Sequence, residues 1–287
     1  MDVRRVAAYH RAMTLQIQPQ AGPHTASPVP FGHHLRSWRQ RRRLSQLDLA
    51  QEADVSTRHL SFVETGRAEP SREMVLRLAE RLQIPLRERN TLLIAAGYAP
   101  MYRERPLDHP ALASARAAVE LLLKGHEPYP ALALDRYYNV VTANRAVALF
   151  LHGLPDALLR PPMNVLRICL HPQGLAPRIE NLHQWRTHLL ERLRQQITAT
   201  ADPQLQALLD ECAAYPAQEL SDAPHLAGEH LGVLMPFRLR TRHGVLSFIS
   251  TLTIFGSAHD VTLQELMIES SFPADALTAD ILRQTLA

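Results

Sequence analysis

Apolar residues recur every three or four positions between residues 31 and 97, a spacing typical of short amphipathic helices packed around a core. Leu35 and Trp38 occupy the inward positions of the first helix, and Gly97 ends the last one. The pattern predicts five helices, at Phe31–Arg43, at two stretches within Leu44–Pro70, at Ser71–Leu82 and at Leu86–Ala96.

The two central helices are short and separated by a tight turn at residues 53–55. Ser45 and Ser56 precede them as N-caps, because a serine oxygen accepts a hydrogen bond from an amide of the first helical turn. Gly66 tolerates the positive φ of a helix C-terminus, and Pro70 prevents continuation. Their inward positions are predicted to be Leu47, Leu49, Ala50, Leu60 and Val63.

This arrangement resembles the helix-turn-helix of the Cro/C1-type (XRE-like) repressors. The resemblance extends over about fifty residues and is carried by Leu35, Arg36, Arg39, Leu44, Ser45, Gln46, Leu49, Ala50, Val55, Ser56, Leu60, Val63, Glu64, Gly66, Pro70, Leu76, Leu78, Ala79 and Leu82. It implies that the second central helix enters the DNA major groove and that Arg39 pairs with Glu64.

The surface predicted to contact double-stranded DNA has two parts. Base edges would be read from the second helix by Thr57, Arg58, Ser61 and Phe62, and Gln46 and Ser56 are also predicted to contact DNA. Arginine suits the O6 and N7 acceptors of guanine, which favours Arg58 as a reading residue. The DNA backbone would be contacted by Arg36, Arg42 and Arg43. The alternative, a five-helix bundle with no DNA role, does not require a basic side chain at position 58.

Beyond residue 106 the pattern alternates between strands and helices. A helix over Pro110–Lys124 precedes a hairpin with a turn at Asp135–Arg136, and helices follow over Arg178–Ile197 and from Gln204 to about Tyr215. Three further strands are predicted at about Gly232–Thr241, Val245–Phe255 and Thr262–Phe272. Two strands, then helices, then a three-stranded meander is the order of a PAS domain.

Three blocks of this region, at 126–146, 171–196 and 262–275, resemble the MmyB-like ligand-binding domain that follows XRE-type helix-turn-helix modules. The resemblance implies a PAS-like sensor that holds a small, lipid-like molecule. Predicted ligand contacts are Phe237, Phe248, Leu252, Ile254 and Trp185, with Arg136 or Arg178 meeting a carboxylate. A fatty acid would suit such a face, and no obligate cofactor is expected. Alternatively, helix side chains fill the face completely.

The fold class is therefore multidomain: an all-α five-helix helix-turn-helix domain followed by an α+β PAS-like domain with a five-stranded antiparallel sheet. The predicted boundaries are a disordered arm at 1–30, the DNA-binding domain at 31–97, a linker at 98–106 and the PAS-like domain at 107–287. Residues 1–105 carry 17 arginines and 10 acidic side chains, a net charge of +7, and the remainder carries −4. A basic domain joined to an acidic one fits DNA binding by the first alone.

Other function classes find little support. Two cysteines are too few for a disulfide framework, and no run is apolar enough for a membrane span or a signal peptide. The 15 histidines show no zinc-like spacing with an acidic partner, and no catalytic motif is present. The sequence predicts a cytoplasmic, homodimeric regulator, more specifically a repressor, that is not an enzyme. The alternative is a ligand-independent regulator whose C-terminal domain dimerises or docks a protein.

Overall fold

The computed structural model describes residues 29–216, 235–256 and 260–286. The predicted arm at 1–30 falls almost entirely outside the described residues. Five helices form the N-terminal domain: α1 (Phe31–Arg41), α2 (Gln46–Glu52), α3 (Thr57–Glu64), α4 (Arg72–Arg81) and α5 (Leu86–Ala95).

Three of these helices begin at serine caps. The side chain of Ser45 accepts a hydrogen bond from the Asp48 amide, and the Ser45 amide donates one to the Asp48 carboxylate. The side chains of Ser56 and Ser71 each accept a hydrogen bond from an amide in the first turn of α3 and α4, respectively. Each such cap stabilises its helix by about 1 kcal/mol, because it satisfies an amide that otherwise has no partner within the helix.

The core of this domain is formed by Leu35, Trp38, Leu49, Leu60, Val63, Leu78 and Leu82, with neighbours from all five helices. One predicted inward position is wrong. Leu47 is 53% exposed, because it lies on the outer side of α2, while Leu49 and Ala50 face the core. Asp54 takes a φ of 52° in the turn between α2 and α3, a conformation that aspartate tolerates better than most residues.

The C-terminal domain is built on one five-stranded antiparallel sheet in the order β2-β1-β5-β4-β3. Its strands are β1 (Ala131–Leu134), β2 (Val140–Ala143), β3 (Phe237–Thr241), β4 (Gly244–Ile254) and β5 (Met267–Pro273). Its helices are α6 (Ala113–Gly125), α7 (Ala148–Leu151), α8 (Asp156–Leu159), α9 (Val165–Leu170), α10 (Leu182–Thr200), α11 (Pro203–Ala214), α12 (Val261–Gln264) and α13 (Ala276–Leu286), with 3-10 turns at Pro110–Leu112, Arg145–Val147 and Ala176–Arg178.

The two faces of the sheet pack against different helices. One face carries Leu134, Leu246 and Phe248, and it meets the helices between β2 and β3 in the larger core. The opposite face carries Ala133 and Ile268, and it packs against α6 in a smaller core. The strands alternate between the two cores because successive side chains point to opposite faces.

The predicted sheet is confirmed, with differences at the strand ends and one helix that was not predicted. Of the strand predicted at about Gly232–Thr241 the structure describes residues 235–241, and β3 begins there at Phe237. The fifth strand begins at Met267, because residues 261–264 form α12 with Asp260 as its N-cap. The terminal helix α13 was not predicted, and its Leu282 is fully buried in the larger core.

Candidate DNA-binding surface and ligand site

The predicted reading helix α3 presents a polar outer face. Its Leu60 and Val63 are buried, whereas Arg58 is exposed and Thr57 is half-buried. The guanidinium carbon of Arg58 lies 5.4 Å from the centre of the Phe62 ring. This contact restrains the Arg58 side chain in the free protein. Less conformational entropy of that side chain is therefore lost on binding.

The position of α3 is set partly by a close approach to α1. A Cβ atom placed on Gly32 would lie 2.4 Å from the carbonyl oxygen of Glu64, far inside van der Waals contact. The first turn of α1 can therefore cross the end of α3 at this distance only with glycine at position 32.

The predicted ion pair between Arg39 and Glu64 is present in the structure. Arg39 donates from Nε to Oε1 at 2.6 Å and from Nη2 to Oε2 at 3.0 Å, and both residues are 8% exposed. Hydrogen bonding to Glu64 raises the pKa of Arg39. Gln46, predicted to contact DNA, donates its amide to Glu64 at 2.7 Å, so its side chain is held by this pair.

The three arginines predicted to contact the DNA backbone occupy two kinds of position. Arg36 and Arg43 are exposed. Arg42 donates to the carbonyl oxygen of Leu82 at 2.8 Å and stacks over Trp38 at 5.4 Å. Its guanidinium therefore links the end of α1 to the C-terminus of α4, a role that the sequence pattern did not indicate.

The other predicted side chains near α3 are Ser61 and Ser56. Ser61 is half-buried, and the oxygen of Ser56 caps the helix.

In the C-terminal domain, the structure brings three predicted ligand residues together. Trp185 on α10 lies 5.0 Å from Phe237, and Phe237 lies 6.2 Å from Phe248, between ring centres. Phe150 of α7, which was not predicted, packs edge-on against both phenylalanines. Side chains from two helices thus fill this half of the inner face, as the alternative of a filled face would require.

The other half of the same face is open. Leu252 is 40% exposed and Ile254 is 61% exposed, although both share the face of Phe248. Of the predicted ligand residues on β4, Phe248 is therefore buried, whereas Leu252 and Ile254 are exposed. The reason is that α10 passes from Phe237 towards β5 and the β1–β2 turn, so that no helix in the described part of the chain covers this end of β4.

A charged pair that the sequence analysis missed borders the open strip. Arg192 of α10 lies 3.4 Å from Glu269 of β5, and its guanidinium stacks over the ring of Tyr138 at 5.2 Å. Glu269 pairs directly with Leu252 in the sheet register. The Nε atom of Arg192 is buried and has no hydrogen-bond partner among the described residues. Because residue 192 follows Trp185 by two helical turns, helical periodicity could have placed both on the same face.

The two arginines predicted to meet a carboxylate lie elsewhere. Arg136 is in the β1–β2 turn, where it pairs with Asp202 and Glu265, each at 3.4 Å. Arg178 donates to the carbonyl oxygen of His152 at 3.2 Å, and burial lowers its pKa. Neither of these contacts involves the aromatic cluster or the open strip.

An open cavity of about 410 Å³ lies where the linker meets the sensor. Its lining is Met101, Arg103, Arg105, Leu112, Asp260 and Leu263.

Among the described residues, no three His, Cys, Asp or Glu side chains are grouped as a metal site would require. None of the described helices is long and apolar enough to cross a membrane.

Comparison with known proteins identifies the C-terminal domain. The family model for the MmyB-like transcription regulator ligand binding domain matches residues 115–284. The chain belongs to this family. In this MmyB-like chain, a second model, described as a helix-turn-helix domain, matches residues 30–92.

No curated protein matches the MmyB-like chain. One solved structure that it is similar to is described as "Structure of an RNA-binding Light-Oxygen-Voltage Receptor", at 13% identity and a TM-score of 0.24. That alignment covers 98% of this chain, which spans 64% of the length of the receptor chain. A TM-score this low carries no argument about fold or function.

Proposed function

We propose that this protein is a sequence-specific DNA-binding transcription regulator, more specifically a repressor, that acts as a cytoplasmic homodimer. We further propose that its PAS-like domain binds an apolar or amphipathic small molecule. The observation that carries the first part is the outer face of α3, where exposed Arg58 stands on a helix held by the buried Arg39–Glu64 pair.

Base reading by α3 follows from its chemistry. A helix in the major groove reaches base edges with side chains near its N-terminus, and Arg58 is the second residue of α3. Arg36 and Arg43 supply exposed positive charge for phosphates, which would fix register without reading sequence. A homodimer would read two half-sites about 34–36 Å apart, one helical turn of DNA.

Ligand binding is supported by the open strip of Leu252 and Ile254 beside a charged pair. An acyl chain gains about 0.8 kcal/mol for each CH₂ that it buries, without polar partners along its length. At its end, Arg192 can donate from Nε and Glu269 can accept. Because these two charges cancel, a neutral head such as a hydroxyl or amide fits as well as the carboxylate of a fatty acid.

A second candidate function rests on a different surface. Leu121 and Leu122 of α6 are 72% and 53% exposed, and Phe272 of β5 is 42% exposed. Large exposed apolar side chains of this kind mark interaction sites. They favour the ligand-independent alternative, in which the C-terminal domain serves dimerisation or protein docking.

The DNA-binding proposal is tested on an operator selected from a random-sequence pool. Arg58→Ala should weaken operator binding by about 1–3 kcal/mol and relax the preference at one base position. Arg43→Ala is the control, which should weaken operator and scrambled DNA equally and lower the salt slope by about one. Equal losses on both DNAs for Arg58→Ala would show that α3 does not read sequence.

A further inference from the structure

Helix α5 of the DNA-binding domain is bonded directly to α12 and the residue that follows it in the sensor. The amide of Leu86 donates to the side chain of Gln264 at 3.0 Å. Arg87 donates from Nε and Nη2 to the two carboxylate oxygens of Glu265, at 2.8 and 2.9 Å. This two-pronged geometry constrains direction as well as distance.

The same arginine also holds the linker. Arg87 donates from Nη1 and Nη2 to the carboxylate oxygens of Glu104, at 2.7 and 2.6 Å. Its side chain is only 15% exposed. Burial alone would lower the pKa of Arg87, but the hydrogen bonds to Glu265 and Glu104 raise it above its usual value, so the guanidinium stays charged.

Glu265 is shared with a second arginine, and this arginine leads into the sensor. Arg136 Nη1 lies 3.4 Å from Glu265, and Arg136 Nη2 contacts Asp202 and the hydroxyl of Tyr137. The carbonyl oxygen of Arg136 accepts a hydrogen bond from Gln196 of α10 at 2.9 Å.

Helix α10 therefore connects the open strip to the DNA-binding domain. One turn before Gln196 it carries Arg192, which lies beside Glu269 and the strip. From Gln196 the contacts continue through Arg136 and Glu265 to Arg87, at the start of α5.

We propose that Arg87, Glu104, Arg136, Asp202 and Glu265 form an interdomain joint that fixes the DNA-binding domain against the sensor and couples their states. A displacement of α10 moves the carbonyl of Arg136 and changes the pairing at Glu265, so that α5 is held in a different orientation. Packed and ion-paired interfaces transmit such shifts because they have discrete arrangements. That a small molecule is what displaces α10 rests on the proposed function; the joint itself does not.

The first test uses the full chain without DNA or ligand and measures amide hydrogen exchange. Arg87→Met keeps the straight stem but removes every ionic contact of Arg87, and Gln264→Ala removes the partner of the Leu86 amide. Gln264→Ala, which removes one hydrogen bond, should speed exchange in the first turn of α5 and in α12 about tenfold, and Arg87→Met, which removes four, should speed it at least as much. Arg81→Met, at an exposed arginine of α4, is the matched control.

Unchanged exchange at α5 and α12 in both variants would overturn the joint. Slow, wild-type exchange for Leu60 and Leu78 in the same samples establishes that the DNA-binding domain is folded, so a misfolded variant cannot imitate a positive result.

The second test uses the reciprocity of coupling, by which DNA bound at α3 must alter the sensor if the sensor alters DNA binding. Operator DNA added to the wild-type chain should slow exchange in α12 and the β1–β2 turn, and Arg87→Met should abolish that protection although the duplex is still bound. DNA binding without protection in the wild-type sensor would overturn the coupling. Binding of the duplex is measured by anisotropy in the same samples. Failure to bind it would contradict the proposed function and not the joint. The existence of the joint would then be judged by the first test alone.

Discussion

At the scale of single residues, Arg39 is the most informative side chain of the DNA-binding domain. It ties α1 to the end of α3 through Glu64 and also donates to the carbonyl oxygen of Leu44 at 2.8 Å. Because the pair is buried, removal of one partner leaves a charge without compensation. The position of α3 therefore depends on a buried ion pair.

Substitution of either partner should lower the free energy of unfolding of the N-terminal domain by about 3–5 kcal/mol. We expect Arg39→Met with Glu64→Gln to cost less than the sum of the two single changes, because no isolated charge remains in the double variant. The measurement is urea unfolding of all three variants, with Arg36→Met as the exposed control on α1. Strict additivity in this cycle would contradict direct coupling of the two side chains.

At the scale of elements, α5 carries both the interdomain contacts of Arg87 and a titratable side chain, Glu88. Burial raises the pKa of Glu88 on this helix, and the opposing effects of Arg136 and Arg87 are smaller. A carboxyl with a higher pKa in the folded state binds its proton more tightly when folded. Stability is then lost as the pH rises from the unfolded pKa of about 4.3 through the folded value.

Glu88→Gln should therefore raise the thermal midpoint at pH 7.5, because burial disfavours the charged form of Glu88 and glutamine carries no charge. The difference between variant and wild type should shrink as the pH falls below the unfolded pKa of about 4.3, because the carboxyl then becomes protonated in both states. Calorimetric scans across this range provide the measurement, and Glu80→Gln, at an exposed position of α4, provides the control. A variant that is less stable than wild type at pH 7.5 would contradict burial as the dominant effect.

At the scale of the whole molecule, the described residues form one core in the N-terminal domain and two on opposite faces of the C-terminal sheet. The inner face of the sheet is filled by aromatic side chains at one end and open at Leu252 and Ile254 at the other. An apolar ligand on the open strip would cover the largest exposed aliphatic side chains of β4 and stabilise the entire sensor.

We expect lauric acid or 1-dodecanol to raise the melting temperature of the full chain. At a concentration about 100 times the Kd, such a ligand adds about 2.7 kcal/mol to the stability of the folded state. Leu252→Trp should remove the shift, whereas the control Leu277→Trp, at an exposed position of α13, should keep it. A stronger response to the alcohol would identify a neutral head group, and no response to either compound would favour the docking alternative.

The pattern of the sequence was sufficient to predict those features that interactions between neighbouring residues determine. The helices of the N-terminal domain follow from apolar spacing and serine caps, and the alternation of β4 follows from the pleat of a strand. The pairing of Arg39 with Glu64 followed from family resemblance, since 25 residues separate the partners.

Tertiary structure alone decided which surfaces are covered and which charges meet. Alternation assigns Phe248 and Leu252 to one face, but only the path of α10 determines that the first is buried and the second exposed. Likewise, Arg42 links two helices through Leu82, which lies 40 residues away in the chain. Arg87 links two domains through Glu265, which lies 178 residues away. Periodicity reports how a residue is oriented on its own element, whereas burial and ion pairing depend on elements that are distant in the chain.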